Sequence, residues 1–220
     1  MDLRPERRMT MFKENKKTLF ITCAVILLPI VAGLLLWDRL PDRIPTHWGM
    51  GGEVDGWSSK GFAVFAMPAL MLGIQLLCFF VTASDPKRGN IRRKYLSMVL
   101  WIIPVLSVMT SCISYAVALG AQIRVEQVIP GFIGLMFVII GNYMPKFQQS
   151  YTMGIRLPWT LSSEENWNRT HRFGGKIWAL GGIGVLFCTL MGWGIASIAI
   201  LAVVVIVPTV YSYVLYRKGI

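Results

Sequence analysis

The sequence predicts an all-α polytopic membrane protein with six transmembrane helices and both termini in the cytoplasm. Three observations carry this expectation. Long apolar stretches free of Asp, Glu, Lys and Arg recur along the 220 residues, each close to the ~20 residues that a helix needs to cross the hydrocarbon core. Within them the apolar residues are continuous rather than alternating, which excludes a β-barrel. Finally, Lys and Arg collect in every second gap between the stretches.

The first stretch, residues 19–37, is ~28 Å of helix. It exceeds a secretory h-region of about 7 to 15 residues and leads into Trp37, Asp38 and Arg39 rather than a small-residue cleavage site. It therefore reads as a retained span. Residues 61–82, 95–119 and 128–144 follow, and the run 177–216, broken only by Gly192, Trp193 and Gly194, is long enough for two crossings. Pro29, Pro68, Pro104 and Pro208 fall inside spans, where each removes a backbone donor and bends the helix. Gly181, Gly182 and Gly184 predict close helix packing in the fifth span. Cys23, Cys78, Cys112 and Cys188 all lie within spans without CxxC or metal-type spacing, and read as small packing residues. Gln75, Ser107, Thr110, Ser111, Ser114 and Asn142 are the polar groups of the spans. They are expected to bond to backbone or to a neighbouring helix. No ionisable residue sits in a span, which disfavours ion-coupled transport.

Orientation comes from charge. With the amino terminus inside, eighteen of the 22 Lys and Arg residues are cytoplasmic, and only Arg39, Arg43, Lys60 and Arg124 are outside. The net charge of +11 then divides into about +12 inside and −1 outside. Anionic lipid head groups supply the counter-charge for such juxtamembrane loops, so nucleic acid is set aside as a partner. The expected organisation is a basic cytoplasmic amino terminus (1–18), an amino-terminal membrane domain (19–119) with an outer loop 38–60, and a second membrane domain (120–220) with an inner loop 145–176.

Two polar segments carry whatever chemistry the chain has. The outer loop reads D-R-L-P-D-R-I-P-T-H-W-G-M-G-G-E-V-D-G-W-S-S-K from Asp38 to Lys60. Its prolines and glycines forbid a long helix and predict a loop built from turns. Trp48 and Trp57 are placed at head-group depth. His47 lies among Asp42, Glu53 and Asp55, a set that can bind zinc or serve acid-base chemistry. The only other histidine, His171, is assigned to the opposite side, so a two-His metal site within one subunit is excluded, and a structural His47 bonded to the loop backbone is preferred. In the inner loop, Ser162 and Glu165 form a capping-box pattern. A short interfacial helix is expected from near Ser163 to just before Gly174 and Gly175. On it Trp167 and His171 share a face, turned to the membrane surface or to the bundle, while Glu164, Glu165, Arg169 and Arg172 offer charge pairing.

The outer motif L-P-D-R-I-P-T-H-W-G-M-G-G-E-V-D-G-W-S-S-K resembles that of a bacterial membrane domain of unknown function. The later G-N-Y-M-P-K and G-I-R-L-P-W-T-L-S-S-E-E-N-W-N-R-T-H-R-F-G-G-K resemble the SdpI family of immunity proteins. Together they span about residues 19–216. The resemblance implies a multi-pass protein of the bacterial plasma membrane that protects a cell from a secreted peptide toxin and recruits a small cytoplasmic repressor. It implies an outer ligand-binding set of His47, Trp48, Glu53, Asp55 and Trp57. It also implies an inner partner-binding set of Asn142, Pro145, Gly154, Arg156, Pro158, Trp159, Glu165, Trp167, His171 and Gly174. No catalytic role, cofactor or metal is implied. Two other classes are weighed against it: a small-molecule or lipid transporter using the proline-kinked bundle, and an outward-facing metal-dependent enzyme centred on His47.

Overall fold

A computed structural model describes residues 5–49 and 51–220, with side chains from residue 13 onward. Arg4, Arg7 and Arg8 of the basic amino-terminal segment lie outside the described side chains. Six helical segments are long and apolar enough to cross a membrane: Lys13–Leu35, Phe62–Ala83, Arg93–Ala118, Val125–Lys146, Glu164–Leu190 and Gly194–Arg217. The chain divides into two compact units, one of Met1–Ser84 with Arg93–Val125 and the other of Asp85–Arg92 with Glu126–Ile220.

The first unit is built from α1 (Pro5–Leu35), β1 (Arg43–Trp48), β2 (Val54–Ser59), α2 (Met67–Ala83), α3 (Arg93–Leu100) and α4 (Ile102–Ala118). A π-helical segment, Phe62–Ala66, leads into α2. The third span is interrupted at Trp101, between α3 and α4. Pro104 is the cause, because it has no N–H to offer the Leu100 carbonyl one turn back. Hydrocarbon supplies no water to cover that carbonyl. Gln75, 1% exposed, covers it instead, its Nε2 donating to Leu100 O at 3.0 Å and to Thr22 Oγ1 at 3.0 Å. Ser107 donates to Ile26 O at 3.1 Å, the Tyr115 hydroxyl to Pro29 O at 3.3 Å, and Thr110 to Leu106 O at 2.8 Å. The polar side chains of these spans thus act as ties between helices or along one helix, as their sparse distribution predicts.

The second unit holds α5 (Val125–Tyr143), α6 (Pro158–Ser162), α7 (Glu164–Leu190) and α8 (Gly194–Arg217), with Asp85–Arg92 packed among them as a strap. Helices α5 and α7 meet backbone to backbone at two rungs. A Cβ on Gly141 would lie 2.7 Å from Gly175 O, and one on Gly175 would lie 2.6 Å from Gly141 O. Seven residues along each helix the pattern repeats: a Cβ on Gly182 would lie 2.5 Å from Gly134 O, and one on Gly134 would lie 2.9 Å from Gly182 O. Nothing larger than hydrogen fits at either rung, which is how membrane helices gain close van der Waals contact. Gly181 and Gly184 face α8 instead, against Val204 and Ile200. Gly181, Gly182 and Gly184 therefore all pack closely, on two different neighbours.

Helix α7 departs from expectation at its end. Ser163 caps it, accepting from Asn166 N at 3.2 Å, but the helix runs through Gly174 and Gly175 to Leu190. In water paired glycines weaken a helix by ~1 kcal/mol each. Here both are buried, and the packing they permit against α5 and α8 outweighs that cost. The interfacial helix is thus the first turns of the fifth span.

Replacing Gly182 with Ala is expected to destabilise the detergent-solubilised protein by ~1–3 kcal/mol through overpacking. Gly73→Ala, with nothing within 4 Å of its added Cβ, is expected to be neutral or slightly stabilising. Thermal unfolding of the two variants side by side reads the difference.

Candidate functional site

The outer motif folds as a hairpin, where turns alone were expected. Strands β1 and β2 pair antiparallel, with Ile44 opposite Ser58, Pro45 opposite Trp57 and Trp48 opposite Val54, and with irregularities on either side of His47. Ile44 is fully buried and, with Leu40, Ala63, Val64 and Tyr115, forms the core that anchors the hairpin to the helices. Lys60 donates to Trp37 O at 3.1 Å and sits 5.2 Å from the centre of its ring. At the tip Gly52 has φ +84°, a conformation that other residues rarely adopt, and the exposed Glu53 carboxylate folds back over Gly49 and Gly51.

His47 does not bond to the backbone as expected. Its Nδ1 lies 2.5 Å from Asp55 Oδ1 on the facing strand, and both side chains are exposed, at 74% and 45%. The irregular register beside His47 brings the two within reach, a pairing that sequence separation alone does not specify. Trp57 is exposed at 52%, Trp48 is half-buried, and Glu53 is exposed. Among the described residues, no group of three His, Cys, Asp or Glu side chains is arranged to hold a metal ion.

The inner loop is organised around buried hydrogen bonds. Trp167, fully buried, donates from Nε1 to Phe147 O at 2.8 Å and stacks on His171 at 3.9 Å. His171 Nδ1 lies 2.8 Å from Trp167 O, and Ile155 N donates to His171 Nε2 at 2.9 Å. A carbonyl accepts and a backbone N–H donates, so Nδ1 carries the proton and Nε2 a lone pair. That is the neutral ring. Gly154 lies over this pair with φ +112°, and a Cβ there would strike His171 and Trp167. Gly174 closes the other side, packed against Ile155, Pro208 and Met144. The shared face of Trp167 and His171 thus turns to the bundle rather than to the membrane surface.

A second cluster joins α6, α7 and α8. Trp159 donates to Ser212 Oγ at 2.8 Å, Ser212 donates to Asn166 Oδ1 at 2.8 Å, and Asn166 Nδ2 reaches Ser212 O at 3.1 Å and Ile220 O at 3.0 Å. Trp159 also stacks on Tyr216 at 5.7 Å. The remaining candidates face outward. Arg156 is exposed and donates to Tyr151 O at 2.9 Å, Glu165 pairs with Arg169 at 2.5 Å on the exposed side of α7, and Asn142 and Pro158 are exposed. Pro145 is exposed overall, with its ring resting on Gly175.

The residues that hold this loop together were not singled out from sequence. Asp85, 2% exposed, accepts from Lys87 N at 2.7 Å, Tyr151 N at 2.9 Å and the Thr152 hydroxyl at 2.8 Å. Gln149, 4% exposed, donates to Thr160 O at 2.8 Å and Leu161 O at 2.9 Å, and accepts from the Lys87 ammonium. Asn90 donates to Gln149 O at 2.8 Å. The Asp85 to Lys87 bond is an Asx-turn, and the Asp-Pro at 85–86 is its only local signal. Its long-range bonds leave no mark in the sequence. One consequence is topological: the strap, the inner loop and the carboxy-terminal Ile220 share one end of the unit. They therefore lie on one side of the membrane, as alternate gaps must.

Comparison with known proteins fits both motifs. Residues 146–212 match the SdpI/YfhL protein family, and residues 24–72 match a domain of unknown function, DUF1648. Immunity protein SdpI of Bacillus subtilis (strain 168) is 28% identical over 211 residues, covering 94% of this chain and 97% of that protein. No solved structure matches. The SdpI/YfhL segment takes in Arg156, Trp159, Trp167, His171 and Gly174, whereas the hairpin falls in the DUF1648 segment. With its six helices long and apolar enough to cross a membrane, the protein is a multi-pass protein of the bacterial plasma membrane.

Asp85→Ala is expected to strip three bonds from the inner loop and cost ~1–3 kcal/mol. Hydrogen exchange at residues 149–152 is expected to quicken in that variant, while the hairpin amides stay unchanged.

Proposed function

We propose that this protein is a non-enzymatic immunity and sensing protein that protects its cell from a secreted peptide toxin. The observation that carries the reading is the alignment with an immunity protein over nearly the whole of both chains. In this reading the hairpin faces the exterior, both termini are cytoplasmic, and the bias of Lys and Arg toward alternate gaps supplies the orientation. The exposed His47, Asp55 and Trp57 offer a toxin a charged and aromatic surface. Arg156, Glu165 and the neighbouring exposed positions of the inner loop form the face offered to a small cytoplasmic repressor. A toxin that favours one arrangement of the bundle shifts the population toward it, and the repressor reads the shift. The site residues fall into two groups by this account. Exposed ones make contacts, while Trp167, His171, Gly154 and Gly174 hold the loop in shape.

Deleting the gene is expected to sensitise cells to peptide toxins of the same or neighbouring strains, and a plasmid copy is expected to restore survival. His47→Ala with Asp55→Ala changes two exposed side chains and is expected to lose most of the protection without loss of the folded protein from the membrane. Arg156→Ala is expected to keep protection and lose repressor recruitment, read as the membrane-bound fraction of that repressor. Unchanged toxin sensitivity on deletion would remove the immunity reading. Cysteines placed at positions 57 and 159 are expected to be labelled from opposite sides of intact cells.

A further inference from the structure

In the first unit, α1 and Leu76 of α2 line an open groove of about 610 Å³. Its lining is divided by chemistry. Lys13, Lys16 and Lys17 form one end, and Phe20, Cys23 and Leu76 line the rest. Positions 13, 16, 17 and 20 follow the spacing that puts side chains on one face of a helix. Six residues separate Lys17 from Cys23, ~9 Å along the axis, so the groove leads from a basic rim into the apolar part of the first span. The three lysines are exposed, and among the described residues none of them makes an ion pair, not even with the adjacent and exposed Glu14. Phe20 is 74% exposed.

Such a groove matches a ligand with an anionic head and a hydrocarbon tail. A soluble anion would leave Phe20, Cys23 and Leu76 uncovered, and a purely apolar molecule would leave three ammonium groups unused. The apolar stretch that begins at Leu19, just after the lysines, puts the rim at the depth of phospholipid head groups. We propose that the groove holds one anionic phospholipid, its phosphate among Lys13, Lys16 and Lys17 and one acyl chain along Phe20, Cys23 and Leu76. Charge complementarity selects the head group, and the length of the apolar floor holds the tail. The site is independent of the immunity reading and stands or falls by lipid retention alone.

The test counts lipids bound to the purified full-length protein in detergent by native mass spectrometry, with phosphatidylglycerol or phosphatidylcholine added at equal concentration. One phosphatidylglycerol per chain is expected to be retained in preference to phosphatidylcholine. Lys13→Gln, Lys16→Gln and Lys17→Gln together are expected to lower that retention by at least about tenfold, and the three corresponding Arg changes are expected to keep it. All three lysines are exposed, so the fold is expected to survive, with unfolding temperature as the control. Leu76→Trp, which fills the groove and leaves the lysines in place, is also expected to lower retention. Equal retention of the two lipids by the native protein would overturn the site, as would phosphatidylglycerol retention unaffected by the Gln changes. Native-like retention in a folded Leu76→Trp variant would also overturn it, by reducing the effect to diffuse surface charge.

Discussion

In hydrocarbon there is no water to cover a carbonyl or an amide, and this constraint orders the structure from the spans outward. It explains why Pro104 can break the third span only where Gln75 covers the exposed Leu100 carbonyl. It explains why Ser107 and Tyr115 bond to the backbone of α1 rather than to water. The same demand governs the inner loop, whose irregular backbone is threaded between helix ends. There Asp85, Gln149, Thr160 and His171 take up the backbone groups that the loop cannot pair within itself. Each of these side chains is buried and bonded, which is the condition under which polar groups inside a protein stabilise it.

Glycine supplies the second half of the architecture. Where lipid tails are as apolar as leucine, helices gain little by hiding apolar surface, and close approach is the main source of attraction. The rungs at Gly134 with Gly182 and Gly141 with Gly175 fix the register of α7 on α5. That register sets Trp167 and His171, two turns and one turn before Gly175, beneath the Gly154 bend. A neutral imidazole bridging Trp167 O and Ile155 N belongs to this packing rather than to catalysis. The outer hairpin is held differently, by one buried isoleucine and a small apolar core, which leaves His47, Asp55 and Trp57 exposed.

The candidate site was only partly legible in the sequence. Trp167 and His171 could be placed on one face because helical spacing is local information. Asp55 could be named beside His47, but their bond follows from strand pairing with an irregular register, which the run of turn-forming residues obscured. Asp85 was passed over because its partners, Tyr151 and Thr152, lie more than sixty residues away. The end of the inner helix was misplaced for a related reason. Gly174 and Gly175 signal a stop by local propensity, and their role as packing residues depends on Gly141 and Pro208.

By itself the sequence determined that six helices cross a bilayer, that charged residues stay out of their apolar stretches and that basic loops alternate. These follow from the free energy of transferring each residue into lipid, a property of composition and order alone. Only the tertiary structure decided which glycines face which helix, which carbonyl Gln75 covers, and that the strap after α2 is stapled to the inner loop by Asp85. Those choices rest on contacts between residues distant in the chain, where a difference of one methyl group or one hydrogen bond selects the partner.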